Sequence, residues 1–157
     1  MKTNAVRILD TLGIDYKLLS YTVDPDNLVA TATAEKLGLP ADQVFKTLVV
    51  KGDKQGIALA VLPASFHLTL KSLAKLSGNR KVETVPLKQV QPLTGYIRGG
   101  VTAIACKKPY PVFLDEWADL YKQIAVSAGI RGQMVLLKTA DYITATNATI
   151  GAIATEQ

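Results

Sequence analysis

Apolar and polar positions alternate along this chain in two rhythms, one of about 3.6 residues and one of 2, and the switches between them outline its elements. Asn4 to Leu12 reads as a helix with Val6, Leu9, Ile8 and Leu12 inward, stopped by Gly13. Tyr16 to Val23 is strand-like, and Asp24-Pro25-Asp26-Asn27 marks a loop. Thr31 to Leu37 predicts a short helix closed by Gly38. A strand follows over Val44 to Val50, and Gly52-Asp53-Lys54-Gln55-Gly56 turns the chain into Ile57–Leu62. That second run is apolar on both faces, the pattern of a central strand, and Pro63 ends it.

Thr69 stands where a cap would precede a helix over Leu70, Leu73, Ala74 and Leu76, with Gly78 as its stop. Lys81–Val85 is a short strand, and Pro86 opens a helical turn reaching Leu93. Pro111–Leu114, Gln123–Ser127 and Met134–Leu137 predict further strands, with a last helix near Ala140–Thr144. Helices scattered among many short strands predict an α+β domain built on a mixed, strongly curved β-sheet.

The strand Val44–Val50 carries an anomaly. Side chains alternate faces, so Val44, Lys46, Leu48 and Val50 share one side while Phe45, Thr47 and Val49 share the other. Lys46 therefore places an ammonium among aliphatic neighbours, where an unpaired charge is costly. Two readings stay open from this stretch alone. One is a lysine snorkelling from an edge strand. The other is a cation at the floor of a site that receives an anion or a polarised carbonyl.

Length and composition fit one domain over residues 1–157, with 48% apolar residues and room for a single core. No apolar run approaches the ~20 residues that span a bilayer, and Met1-Lys2-Thr3-Asn4 leads into a helical pattern without a signal-peptide core. These features predict a cytoplasmic protein with no membrane partner. Cys106 and His67 are the single cysteine and histidine, which leaves no internal disulfide, no cysteine or histidine cluster for a metal and no Ser-His-Asp triad. No cofactor is expected.

Charge is segregated. Nine basic residues (Lys54, Lys71, Lys75, Arg80, Lys81, Lys88, Arg98, Lys107 and Lys108) lie between Lys54 and Leu114 against one acid, Glu83. The acids gather in the N-terminal third and around Asp115, Glu116 and Asp119. Such a split favours a polyanionic partner over a uniformly solvated surface.

Two glycine-bearing loops complete the inventory. Thr94-Gly95-Tyr96-Ile97-Arg98-Gly99-Gly100-Val101 sets paired glycines before an expected apolar strand, and Ser127-Ala128-Gly129-Ile130-Arg131-Gly132 follows another strand. Glycine admits positive φ and close approach of a ligand to backbone amides. Neither loop has the spacing of a Walker loop or a dinucleotide fingerprint.

In this order, Phe45-Lys46-Thr47-Leu48-Val49, Thr94-Gly95-Tyr96 with Gly99-Gly100, and Ser127-Ala128-Gly129-Ile130-Arg131-Gly132 resemble the YbaK/EbsC family. Tyr21 before Asp24-Pro25, Lys36-Leu37-Gly38-Leu39, Asp42-Gln43-Val44 and Lys81-Val82-Glu83 extend the likeness over almost the whole chain. Members are free-standing aminoacyl-tRNA deacylases related to the editing insertion domain of bacterial prolyl-tRNA synthetase. The resemblance implies a barrel-like mixed sheet with surrounding helices, and cleavage of the ester between an amino acid and the 3′-terminal adenosine of tRNA. It looks nearest to the members acting on cysteinyl-tRNA(Pro), with the substrate's own thiol attacking its carbonyl; prolyl-tRNA synthetase is an implied associate.

Residue by residue, the resemblance implies that Lys46 is the essential lysine, orienting the terminal nucleotide or carbonyl. It implies that Gly99 and Gly100 bring amides to the reacting carbonyl. Tyr21, Thr47, Ser127 and Gly129 correspond to substrate-binding positions, although a regular strand turns Thr47 away from Lys46. Gln133-Met134-Val135 stands where some relatives carry an acid, which bears on amino-acid choice. An alanine-directed deacylase of the same fold and a non-catalytic tRNA-binding module remain open beside the cysteine reading. Cys106, in an apolar stretch, is expected to pack in the core.

Overall fold

The computed structural model describes residues 2–156. In chain order the elements are α1 (Asn4–Thr11), β1 (Tyr16–Ser20), α2 (Ala30–Leu37), β2 (Phe45–Gly52), β3 (Gly56–Pro63), β4 (Phe66–Leu68), α3 (Leu70–Ser77), β5 (Val82–Thr84) and α4 (Leu87–Thr94). They continue with β6 (Val112–Asp115), a 3-10 turn (Glu116–Leu120), β7 (Gln123–Ser127), β8 (Gln133–Lys138), α5 (Thr139–Thr146), β9 (Thr149–Gly151) and β10 (Ala154–Glu156).

The helices end where a left-handed residue can be adopted. Gly38, Gly78 and Gly95 close α2, α3 and α4 with positive φ, and Asn147 does the same for α5. Helix α1 is capped by the Thr3 hydroxyl, which accepts from the Val6 N–H at 3.2 Å. It buries Ala5, Val6 and Leu9, whereas Ile8 and Leu12 lie on its exposed side. Only Leu73 and Ala74 of α3 are buried, and Thr69 makes no side-chain cap bond there.

The strands form an α+β fold of three open sheets, ordered β1-β8-β7, β10-β4 and β5-β2-β3-β6-β9. The expected single, strongly curved, barrel-like sheet is therefore replaced. One isolated bridge, Val44 to Ala125, connects the edge of β2 to β7, so the larger sheets meet at a corner and do not close. β3 is central, as its two-sided apolar pattern required, pairing antiparallel with β2 and parallel with β6. Its residues from Ala58 to Pro63 are all buried.

The main core lies under one face of β2 and β3. Phe45, Val49, Leu59 and Val61 pack there with Leu9, Ile124, Val126, Leu137 and Tyr142. The other face of this sheet meets α3 through Val50, Ala60, Leu73 and Phe113. The strand expected at Val101 does not form. Ala105 takes a positive φ of 56°, and the Tyr96 hydroxyl reaches the Ile104 and Ala105 carbonyls at 2.7 and 2.9 Å. An irregular loop held by side-chain bonds takes its place. Among the described residues no helix is long and apolar enough to cross a membrane.

Asp115 differs from its acidic neighbours. Its carboxylate is 2% exposed and accepts three backbone N–H groups, those of Trp117, Ile153 and Ala154, each at 3.0 Å. The side chain thus caps the 3-10 turn and pins the segment between β9 and β10.

Candidate active site

Strand β2 is covered on one side by β3 along its full length, but on the other side β5 pairs only with Val50, Lys51 and Gly52. A cavity of about 340 Å³ opens along the uncovered part. Its wall includes Phe45 to Val49, with Tyr21 and Leu28 on one flank. Thr84, Val85 and Leu87 form another flank, and Arg98, Gly99, Ser127 and Met134 complete the rim. The resulting chamber is mostly apolar with a few convergent polar groups, the composition expected of a small-molecule site.

Lys46 is half-buried in this wall. Its Nζ donates to the Ala64 carbonyl at 3.0 Å and the Phe66 carbonyl at 2.8 Å. An ammonium has three donors, so one remains. Among the described residues the ion pair is Lys2 with Asp10, remote in sequence, and no carboxylate compensates Lys46. Burial lowers its pKa from the ordinary lysine value of 10.5. The snorkelling reading therefore gives way to a cation oriented by two carbonyls at a cavity wall.

Of the other residues expected at the site, Tyr21, Thr47, Ser127 and Gly99 also line the cavity. Tyr21 is anchored by its N–H to the Gly132 carbonyl at 2.9 Å, tying it to the second glycine loop. The Ser127 hydroxyl accepts from the Gly129 N–H at 3.1 Å. Gly129 itself sits behind this wall: a Cβ there would come within 2.9 Å of the Tyr96 ring, at φ +95°. Only glycine fits that packing.

The paired glycines divide in role. Gly99 lines the cavity, and among the described residues its N–H has no hydrogen-bond acceptor. The Gly100 N–H instead donates to the Ile97 carbonyl at 2.9 Å. Gly100 is buried against the second loop, where an added Cβ would stand 3.1 Å from Ile130 Cα and 3.2 Å from Arg131 N. The two glycine loops are thus stacked backbone to backbone. The Arg131 Nε–H fastens them by donating to the Arg98 carbonyl at 2.8 Å.

Met134, in the stretch expected to bear on amino-acid choice, lines the cavity, whereas nothing in the sequence pointed to Arg98, Leu28 or the α4 entrance. Their signal is tertiary, because each comes from a different loop or strand. All nine basic residues between Lys54 and Leu114 are exposed, Arg98 at the cavity itself.

Among the described residues no cysteine or histidine lines the cavity beside Lys46, and the hydroxyl groups there belong to Tyr21, Thr33, Thr47, Thr84 and Ser127. Cys106 packs partly buried against the core, its thiol donating to the Thr102 carbonyl at 3.2 Å, and burial pushes its pKa up to about 11. At neutral pH the thiolate fraction is then negligible, and the thiolate is the reactive form. Cys106→Ala is expected to retain activity to within about twofold at substrate saturation, because its cost is a small packing defect. A folded but inactive variant would refute this reading. Among the described residues no group of three or more His, Cys, Asp or Glu side chains is arranged to hold a metal.

Comparison with known proteins bears on the same site. The profile of the aminoacyl-tRNA editing domain matches residues 25–145, a span that contains the whole cavity wall except Tyr21. The chain is 42% identical, over 99% of its length and 95% of the relative's, to an Enterococcus faecalis protein provisionally named Cys-tRNA(Pro)/Cys-tRNA(Cys) deacylase EbsC. It is 26% identical, over 88% of its length and 83% of the relative's, to the multifunctional Ser/Thr-tRNA deacylase ProXp-y of Escherichia coli. Among solved structures, a candidate trans-editing enzyme for prolyl-tRNA synthetase superposes with a TM-score of 0.81 at 24% identity over 99% of both chains, which establishes the shared fold. With its profile match and its full-length relative, the chain belongs to the aminoacyl-tRNA editing domain family and is an aminoacyl-tRNA deacylase.

Proposed function

We propose that this deacylase acts in trans on cysteinyl-tRNA(Pro), cleaving the ester with the help of the substrate's own thiol. The observation that carries the reading is a cavity with one oriented cation, Lys46, and no nucleophile–base pair among the described residues that line it. The 42% identical relative, named for cysteinyl-tRNA, supports the choice of amino acid.

An aminoacyl ester is already activated, so positioning and charge stabilisation supply much of the rate. A free thiol has a pKa of about 8.5, leaving a few per cent thiolate at neutral pH, and a nearby ammonium raises that fraction. The substrate sulfur then attacks its own carbonyl carbon. A C–S bond forms, the C–O ester bond breaks, and the departing 3′-oxygen takes up a proton; water later opens the cyclic thioester. Lys46 favours the anionic forms along this path, and the free Gly99 N–H is available to the carbonyl oxygen. Prolyl-tRNA synthetase, which would generate the mischarged tRNA, is the natural neighbour of such an activity.

The test compares cysteinyl-, seryl-, alanyl- and prolyl-tRNA(Pro). Cysteinyl-tRNA should be cleaved and seryl-tRNA, nearly its size, should survive, because a hydroxyl is too weak an acid to attack unaided. The 26% identical relative named for Ser and Thr substrates makes the opposite result meaningful. Rapid loss of the seryl ester would establish attack by water or an enzyme group and remove the thiol from the mechanism.

The exposed basic residues predict the partner's contribution to affinity. If a few of them meet phosphates, log affinity for tRNA should fall linearly with log salt, at roughly −0.7 per contact on single-stranded RNA. Charge reversal at both Lys107 and Lys108 should make the slope shallower. Binding that ignores salt would leave the basic face a solvated surface only.

A further inference from the structure

The uncovered edge of β2 has a defined hydrogen-bonding pattern. On the β3 side, the Val44 carbonyl accepts from the Ala64 N–H at 2.7 Å. On the other side, the Val49 carbonyl accepts from the Val85 N–H at 3.0 Å. Alternate residues of an antiparallel strand send both backbone groups to the same edge. Phe45, Thr47 and Val49 therefore face away from β3.

That far edge is paired at its two ends and open between them. Ala125 bridges Val44 and donates its N–H to the Gln43 carbonyl at 3.1 Å, while β5 begins its pairing at Val50 with Thr84. Thr47, midway, has no strand opposite it on this edge among the described residues. It lines the cavity, with Ser127 towards one end and Thr84 towards the other. A backbone N–H and C=O exposed in an apolar chamber need a partner, whether water or ligand.

We infer that the aminoacyl group of the substrate occupies this gap as a one-residue strand. Its α-ammonium donates to the Thr47 carbonyl, and its ester carbonyl accepts from the Thr47 N–H. These are the two bonds that directly opposed antiparallel residues exchange. The inference rests on the deacylase reading of the cavity and adds the feature by which it recognises its substrate. An α-amino acid ester carries a donor and an acceptor at strand spacing. The backbone thus reads what all amino acids share, and the cavity wall is left to choose among side chains.

The test uses the full chain and three tRNA esters: cysteinyl, N-acetylcysteinyl and 3-mercaptopropionyl, the last keeping the thiol but having hydrogen in place of the ammonium. Each enzymatic rate is divided by that ester's own spontaneous hydrolysis, which removes the activating effect of the ammonium on the ester. The enhancement should fall roughly tenfold or more for both analogues, as expected for loss of a charge-assisted hydrogen bond. The mercaptopropionyl ester is smaller than the native one, so bulk cannot explain its loss. Equal enhancement for it and for cysteinyl-tRNA overturns the inference while the deacylase reading stands. Failure to cleave any aminoacyl-tRNA removes that reading, and the inference with it. A second measurement follows hydrogen exchange at the Thr47 amide with an uncleavable 3′-cysteinylamido-3′-deoxyadenosine. Slower exchange in the saturated complex is expected, and unchanged exchange overturns the inference.

Discussion

Lys46→Ala should lower deacylation by on the order of 10²–10³-fold while leaving a folded protein, the range found when a preorganised electrostatic group is removed from an active site. The ammonium is the one cation whose position in the cavity wall is fixed by two carbonyls, those of Ala64 and Phe66. Its removal has two opposed effects on stability. Burial lowers its pKa, so the folded state holds the proton less tightly than the unfolded chain. That penalty is absent above the ordinary value of 10.5 and fully present once pH falls below the lowered value. Alanine relieves it but forfeits two hydrogen bonds. The net change in unfolding free energy should stay within about 1 kcal/mol. Lys46→Arg should also be impaired, because a planar guanidinium is larger and places its donors differently from an ammonium. A folded Lys46→Ala protein with near-normal turnover would remove the lysine from the mechanism.

The largest loss of stability is expected at Asp115, which does not line the cavity. Replacing it by alanine strands three N–H groups that a carboxylate now satisfies, in a place that is 2% exposed. Hydrogen bonds to a charged group contribute ~1.5–3 kcal/mol each and are not additive, so about 3–4 kcal/mol is expected for Asp115→Ala by denaturant unfolding. Asparagine keeps one carbonyl oxygen for Ile153 and Ala154 but turns a donor towards Trp117 N–H. It should cost about half as much. An Asp115→Ala protein as stable as the parent would mean that the segment between β9 and β10 is held by packing alone.

Local rules made much of this fold legible. The helix stops at Gly38 and Gly78 follow from a conformational preference contained in one residue. The hairpin of β2 and β3 and the centrality of β3 follow from periodicity and a glycine-bearing turn. Lys46 was detectable because a charge interrupts an aliphatic face. What escaped was non-local. Strands β4, β9 and β10 have three residues each, too few for a period to show, and their partners lie in distant parts of the chain. Asp115 sits in a cluster of acids, and composition could not separate one buried carboxylate from its solvated neighbours. The glycine pair was read as a unit, yet one member faces the cavity and the other the neighbouring loop, a distinction made only by how two loops stack. The division into three open sheets was hidden for a related reason. Whether two sheets merge into a barrel depends on how many bonds join their edges, and here one bridge does so.

The late position of β9 and β10 in the chain has a kinetic meaning. Phe66 pairs with Glu156, and Phe113 with Thr149, so two sheets wait for the same closing segment. Pairings between distant parts of a chain carry a loop-closure cost before any contact offsets it, and they slow folding. During synthesis the edges of β4 and β6 emerge long before their partners, as unpaired strand edges able to join a second chain. Refolding yield should therefore fall as protein concentration rises, and a chaperone that shields those edges should restore it.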